Sequence, residues 1–431
     1  MNQLDRRTFI KLLGAAGVAS TTSGLVFPSS SAAAGAKARV VVVGGGFGGA
    51  TCANYLRQYD SSLNVTLIEP NIQFVTCPFS NTVLAGMKSI NFITHNYDGL
   101  RKNRGVNIIH DTVISIDATA KKIKLKSGKI LAYDRLVVSP GISFNWHEIE
   151  GASAENSKIM PHAWKAGAQT TLLQKQLEAM KDGGKVIIAS PRKPFRAPPA
   201  PYERASLIAY YLKKTKPSSK ILLIDSSGDS EELAMFRTGW EKLYKGMIEW
   251  VDGSEQGEIV SADTKALSLT GRTIGTLKGD VVNLIPPQHA GEIARVAGLA
   301  DESGWCPVNP QNFASTLQKD IHVIGDACIA SPMQKTGHSA NTQGKICAAA
   351  IVTELSGGTM PDVTYNTSIY SLLNPKYALS SAGVYRLKNG KLKQIAGGLS
   401  AKKASRKTRL KEARFASGWY KGITMDTFGK I

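Results

Sequence analysis

The chain has 431 residues, 42% of them hydrophobic and 20% charged, long enough for two or three domains with separate cores. A formal charge of +20 would suit nucleic acid or an anionic membrane surface, but the export signal described next argues against nucleic acid. Five cysteines with no C-x-x-C and no C-x-x-C-H exclude a thioredoxin-like redox pair and a c-type haem attached to this chain.

Asp5-Arg6-Arg7-Thr8-Phe9-Ile10-Lys11 is a twin-arginine pattern. It is followed by a mildly apolar stretch, Leu12 to Ala19, too short to span a bilayer, and by a small-residue run, Ser29 to Ala34, of the kind signal peptidases cut. Residues 1–34 are therefore read as a Tat signal peptide, with a periplasmic mature chain from about Gly35 that has no transmembrane segment. Removing them takes away Arg6, Arg7 and Lys11 against Asp5, so the charge falls from +20 to +18. In an oxidising compartment an odd number of cysteines leaves at least one with a task other than pairing.

Ala38 to Val43 is a β-branched run expected to form a buried parallel strand. Gly44, Gly46 and Gly49 follow as G-x-G-x-x-G. Ala50 to Gln58 has helical composition, and Asn64 to Ile68 is a second strand ending at Glu69. Strand, glycine turn, helix, strand and acid in that order form a dinucleotide site. The turn lets backbone N–H groups approach a pyrophosphate at the helix N-terminus, and Glu69 is placed for a ribose.

Val106 to Ile109, Val113 to Asp117 and Lys122 to Lys126 read as short strands, and Ile130 to Gly141 as a strand ending in Ser-Pro-Gly. A second α/β unit starts at Lys185 to Ala189 and continues at Ile221 to Asp225. Its first turn, Ser190 to Arg196, holds two prolines and no glycine, a poor cradle for NAD(P)H pyrophosphate.

Ile321 to Ala327 is a strand ending in Gly-Asp-Ala, whose Asp326 suits the ribityl chain of FAD, and Lys335 to Ile351 reads as a helix packed near the flavin. The basic cluster Lys402, Lys403, Arg406, Lys407, Arg409, Lys411 and Arg414 is either a solvated helix face or a patch for an acidic partner. The fold class is α/β. Two Rossmann-like domains, one FAD-binding and one a degenerate NAD-type domain, are joined by a small C-terminal α+β domain. The expected division is 1–34 signal, 35–158 first FAD part, 159–280 NAD-type, 281–355 second FAD part and 356–431 C-terminal.

Across nearly the whole mature chain the motifs GGGFGG, TCPFSN, YDRLVVSPG, PFRAPPAPYERA, NLIPPQ, HVIGDA, SANTQGK, YSLLNPKYALSSAGVYR and WYKGITMDTFG resemble the flavoprotein subunit of flavocytochrome c sulfide dehydrogenase. That family is related to the sulfide:quinone oxidoreductases and the disulfide-reductase flavoproteins. The resemblance implies that Cys77 forms a thioether to the 8α carbon of FAD. It also implies a heterodimer with a c-type cytochrome that carries the haem, and Glu203 as an acid/base beside the flavin. The family's redox disulfide is missing: one of its positions is Ala197, and the other falls at Ser368 or Ile369. His289 and His338, on segments expected near the flavin, are a candidate pair for copper or another borderline metal.

The expected function is thus an exported FAD oxidoreductase subunit that carries electrons from a reduced sulfur compound to a cytochrome c by a route without that disulfide. A non-catalytic or redox-maintenance flavoprotein is the alternative. A sulfide:quinone oxidoreductase is disfavoured because the basic C-terminal tail lacks a long apolar face, and NAD(P)H-dependent reduction because of the proline-bearing turn.

Overall fold

The computed structural model describes residues 38–429, so the expected export signal over 1–34 lies outside the described residues. In chain order the elements that frame the site begin with β1 (Arg39–Val43), α1 (Phe47–Tyr59), β2 (Asn64–Ile68), β3 (Asn107–Ile109) and β4 (Arg135–Val138). They continue with β5 (Lys185–Ser190), α2 (Ala200–Thr215), β6 (Lys220–Asp225), β7 (Ile248–Asp252), β8 (Val281–Leu284), β9 (Ile321–Val323) and α3 (Gly337–Leu355). The last are β10 (Thr364–Asn374), β11 (Tyr377–Lys388), β12 (Lys391–Leu399) and α4 (Arg406–Phe428).

The first sheet has the order β9-β4-β1-β2-β3 and is parallel throughout. Val40, Val41, Val42 and Val43 are buried, as a strand covered on both faces requires. The second sheet, β7-β6-β5-β8, is also parallel. The third is an antiparallel meander, β10-β11-β12. The fold is therefore the expected pair of Rossmann-type units with a C-terminal sheet and helix, and β9 returns the chain to the first sheet after the second is complete.

The segment Ile130 to Gly141 is not one strand. Ile130–Ala132 pairs in a small antiparallel sheet, while β4 joins the parallel one. The break falls at Asp134. Its carboxylate accepts from the backbone N–H of Arg39 at 2.7 Å and from the Arg39 guanidinium at 2.9 and 3.1 Å, pinning the chain at the sheet edge where it changes partner. Likewise the strand expected over Ile321 to Ala327 ends at Val323, and Gly325–Ala327 form a 3₁₀ turn that carries Asp326.

The C-terminal helix α4 crosses the meander and reaches the first domain. Asn54 donates to the Asp426 carbonyl at 2.7 Å, Tyr55 to its carboxylate at 2.7 Å, and Lys345 pairs with the same carboxylate at 2.8 Å. Of the seven basic residues 402–414, six are exposed and one, Arg409, is buried. Arg409 pairs with Glu412 at 2.9 Å and donates to Ser400 Oγ at 2.8 Å, while Glu412 accepts from Ser380 Oγ at 2.9 Å. The cluster is therefore a solvated helix face at six positions, and the seventh cation turns inward. Among the described residues no helix is long and apolar enough to cross a membrane.

Removing Glu412 leaves a buried, uncompensated guanidinium. Glu412→Ala should lower the unfolding free energy by about 3–5 kcal/mol in urea denaturation. An unchanged midpoint would mean that Arg409 reaches water by another rotamer.

Candidate functional site

The glycine turn is built as the motif requires. Gly44 has φ +97°, and a Cβ there would lie 2.3 Å from the Ser139 carbonyl oxygen. A Cβ on Gly49 would lie 1.9 Å from the carbonyl oxygen of Gly44, so only glycine lets α1 start directly above the turn. Gly46 caps α1 without a side-chain partner, and the first turn carries no acid, which leaves its N–H groups suited to an anion. Glu69 is buried at the end of β2. Its carboxylate accepts from Gly45 N at 2.9 Å and from Asn71 N and Nδ2 at 3.0 and 2.7 Å. Three of its roughly four acceptor positions are used, so it can hold one further hydroxyl.

Asp326 offers the opposite case. Its Oδ1 is buried with no hydrogen-bond partner, and its Oδ2 lies 3.9 Å from the Arg196 guanidinium. Burial pushes its pKa up, opposed by Arg196 and Lys335. An orphaned buried carboxylate oxygen is costly, and a polyol hydroxyl is a fitting donor for it. The glycine turn, Glu69 and Asp326 together fit FAD.

Beyond the turn, a cavity of about 790 Å³ counting its open mouth lies between the three parts of the chain. Cys77, Ala197, Glu203, His338, Ser368 and Trp419 are on its wall. Cys77 is half-buried, its thiol 3.3 Å from the Trp164 carbonyl and within electrostatic reach of Lys165 and Arg204. The two positions implied for the lost disulfide, Ala197 and Ser368/Ile369, face this same cavity. Ala197 keeps a left-handed backbone, φ +54°, held by its N–H donating to the Lys335 carbonyl at 2.8 Å. For a residue with a Cβ this conformation costs on the order of 1–3 kcal/mol.

Glu203 sits in the first turn of α2. Its Oε2 accepts from Asn81 Nδ2 at 2.8 Å and its Oε1 from the Leu372 backbone N–H at 2.9 Å. It does not ion-pair with Arg204. Arg204 instead donates to Asn81 Oδ1 at 3.1 Å, Asn283 Oδ1 at 2.8 Å and the carbonyls of His162 and Ala163 at 2.9 and 2.5 Å. The Glu203 side chain retains some exposure, yet desolvation of its enclosed carboxyl outweighs these bonds and raises the pKa.

The structure does not bring His289 and His338 together on the cavity wall. Among the described residues no group of three or more His, Cys, Asp or Glu side chains is placed to hold a metal ion. His338 is on the cavity wall and His289 is not. His289 Nδ1 faces the Ala290 carbonyl at 2.7 Å, and His338 Nδ1 accepts from the Ser368 N–H at 2.7 Å. Sequence reasoning also assigned no role to Asn81, Arg196 or Trp419. Asn81 and Arg196 stood inside quoted motifs, but nothing in their spacing told which carboxylate each would meet.

The second Rossmann unit is filled from within. Asp225, at the end of β6 where a ribose would be read, accepts from Ser190 Oγ, Tyr202 OH and Ser227 Oγ at 2.9, 2.6 and 2.7 Å. It is fully buried.

A family model for the central part of the sulfide dehydrogenase (flavocytochrome c) flavoprotein chain matches residues 170–286. A pyridine nucleotide-disulfide oxidoreductase model matches 38–188, and a flavocytochrome c sulfide dehydrogenase flavin-binding model matches 361–428. A sulfide dehydrogenase flavoprotein chain from Chlorobaculum thiosulfatiphilum is 71% identical over 38 residues, 9% of this chain and 79% of that sequence. Mitochondrial sulfide:quinone oxidoreductase of Mus musculus is 23% identical over 322 residues, 70% of this chain and 68% of its own. In fold, the sulfide:quinone oxidoreductase of Aquifex aeolicus superposes with a TM-score of 0.69 at 19% identity, covering 92% of this chain and 93% of that one.

Cys52, Cys306, Cys328 and Cys347 are at most 1% exposed, and burial pushes the Cys306 and Cys328 thiols up to about 12. A maleimide should therefore label native flavin-free protein once, at Cys77, and denatured protein five times, counted by intact mass.

Burial depresses His338 to about 4 and His162 to about 3. The folded state then binds fewer protons than the unfolded state below pH 6.5, so stability falls as pH drops from there towards 4. His338→Gln should flatten that decline by on the order of 2 kcal/mol in urea midpoints taken between pH 7.5 and 4.5.

Proposed function

The chain belongs to the flavocytochrome c sulfide dehydrogenase flavoprotein and sulfide:quinone oxidoreductase family of FAD-dependent oxidoreductases, and from that membership we propose that it is the exported flavin subunit of a flavocytochrome. In this reading it takes electrons from a reduced sulfur compound, sulfide or a close relative. It passes them to a c-type cytochrome on a separate chain, without a redox disulfide of its own. The observation that carries the reading is the single cavity thiol, Cys77, facing the positions where two further cysteines would be needed and are replaced.

The chemistry a bound FAD would supply at this site is acceptance of two electrons from the donor and their delivery, one at a time, to the haem partner. The chain's own residues do the rest. Gly44, Gly46 and Gly49 give the pyrophosphate its turn, Glu69 and Asp326 hold hydroxyls, and Cys77 is the proposed thioether anchor. A covalent anchor keeps the cofactor from being lost outside the cytoplasm. Arg196, on the same cavity wall as Cys77, and the exposed Lys165 place positive charge near Cys77, favouring an anionic donor. Glu203, whose carboxyl is pushed above the usual carboxylate range by burial, is the group that takes up and returns the donor's proton.

The six exposed cations of the 402–414 segment are the proposed approach surface for an acidic cytochrome, with an association rate that falls as salt rises.

Anaerobic sulfide should bleach the oxidised flavin band of the holoprotein, whereas saturating NADH should leave it intact because Asp225 and its turn offer no nucleotide site. The reverse result would transfer the function to the second Rossmann unit. Cys77→Ser protein should release its flavin on acid precipitation, while the unaltered protein keeps colour in the pellet. Release from both would remove the thioether.

A further inference from the structure

Resting on the thioether reading of Cys77, we propose that Tyr420 on α4 is a positioning residue for flavin attachment, holding the backbone on both sides of Cys77 in register with the glycine turn. The device is a directed chain of hydrogen bonds. Thr76 Oγ1 donates to the Pro78 carbonyl at 3.0 Å, and a carbonyl only accepts, so the single hydroxyl proton of Thr76 is used there. Tyr420 OH, 2.7 Å from Thr76 Oγ1, is therefore the donor of that bond. Its own proton spent, Tyr420 accepts from His95 Nε2 at 3.0 Å. The chain runs His95, Tyr420, Thr76, Pro78 and brackets Cys77 on both sides. Thr76 is fully buried and Tyr420 is 3% exposed, which strengthens each bond. The Tyr420 ring also packs 4.5 Å from that of Phe79, whose φ of +68° is a left-handed backbone that a side chain adopts only when its surroundings hold it.

The same helix is fixed to the other end of the cofactor site. About two turns beyond Tyr420, Phe428 packs on Phe47, the first residue of α1, at 6.2 Å between ring centroids. It also packs on Tyr97 at 6.0 Å, and Tyr97 OH donates to the Gly45 carbonyl inside the glycine turn at 3.1 Å. His95 joins the two ends, its ring stacked on Phe428 at 5.1 Å and 4° while its Nε2 meets Tyr420. One rigid element thus sets the spacing between the turn suited to the pyrophosphate and the thiol suited to the flavin ring. A covalent step needs its reacting atoms aligned, and a displacement of about 1 Å is enough to slow it on the order of a hundredfold.

The step balances with dioxygen as the oxidant. The Cys77 S–H and one C–H of the flavin methyl break, and one S–C bond forms. The two electrons and two protons released pass to dioxygen and give one hydrogen peroxide. Tyr420 takes no part in these bonds; it acts through Thr76 on where the sulfur stands.

The test follows attachment after FAD is added in air to the flavin-free full chain, read as acid-stable flavin colour, protein mass and hydrogen peroxide. The unaltered protein should yield one peroxide per flavin attached. Tyr420→Phe, which keeps the ring and loses the hydroxyl, should attach flavin roughly tenfold more slowly at saturating FAD, while its FAD dissociation constant, taken in the Cys77→Ser background, changes by less than about twofold. Thr76→Val should slow attachment as much, and the two substitutions together no further, because both break one chain. Thr76→Ser, which keeps the hydroxyl, should recover the rate and guards against a folding defect. Attachment by Tyr420→Phe at the unaltered rate, a slowing that saturating FAD abolishes, or additive losses in the double variant overturns the proposal and leaves the thioether in place. No acid-stable flavin on the unaltered protein removes the thioether reading, and the proposal with it.

Discussion

One buried guanidinium holds the cavity together. Arg204 is 2% exposed and donates to groups from three stretches of chain far apart in sequence: Asn81 after the glycine-turn unit, the carbonyls of His162 and Ala163, and Asn283 on β8. Asn81 in turn donates to Glu203, which accepts from Leu372 on the C-terminal meander. A buried cation without partners is among the costliest groups a protein can enclose, so each of these segments is held where its acceptor meets Arg204. Cys77, Ala197 and Ser368 border the same cavity because the segments carrying them are tied through this network.

That constraint explains how the site tolerates losing its sulfur pair. The replaced positions hang from a frame they do not build. Ala197 still adopts the left-handed backbone, held by the Lys335 carbonyl, and Ser368 is fixed through its N–H to His338. Cysteine is absent from Ala197, Ser368 and Ile369, while Glu203 and Arg196 remain on the cavity wall.

The two Rossmann units make a second contrast. In the first, Asp326 keeps an unpaired buried oxygen and α1 begins with open N–H groups, so the unit is incomplete without a ligand. In the second, Asp225 is saturated by Ser190, Tyr202 and Ser227, so the equivalent position is complete without one. The same topology supports a cofactor in one half and serves as scaffold in the other.

Local patterns sufficed wherever a short segment carried its own physics. The valine run of β1, the spacing of Gly44, Gly46 and Gly49, and the proline-bearing turn after β5 each depend on sterics within a few residues, so they could be read directly. The change of sheets at Asp134 was not legible, because it depends on Arg39, 95 residues away, reaching back to that carboxylate. Nor could local patterns separate Glu203 from an ion pair with its neighbour Arg204, or His338 from a metal ligand. Adjacent residues on a helix point in different directions, and His289 and His338 share no wall. Sequence by itself determined the nucleotide turn, the two α/β units and the absence of a cavity disulfide, because these are matters of composition and near-neighbour geometry. Only the tertiary structure decided which donors meet which carboxylates and which residues share the cavity wall, because a buried polar group takes its partner from whatever distant segment packing brings to it.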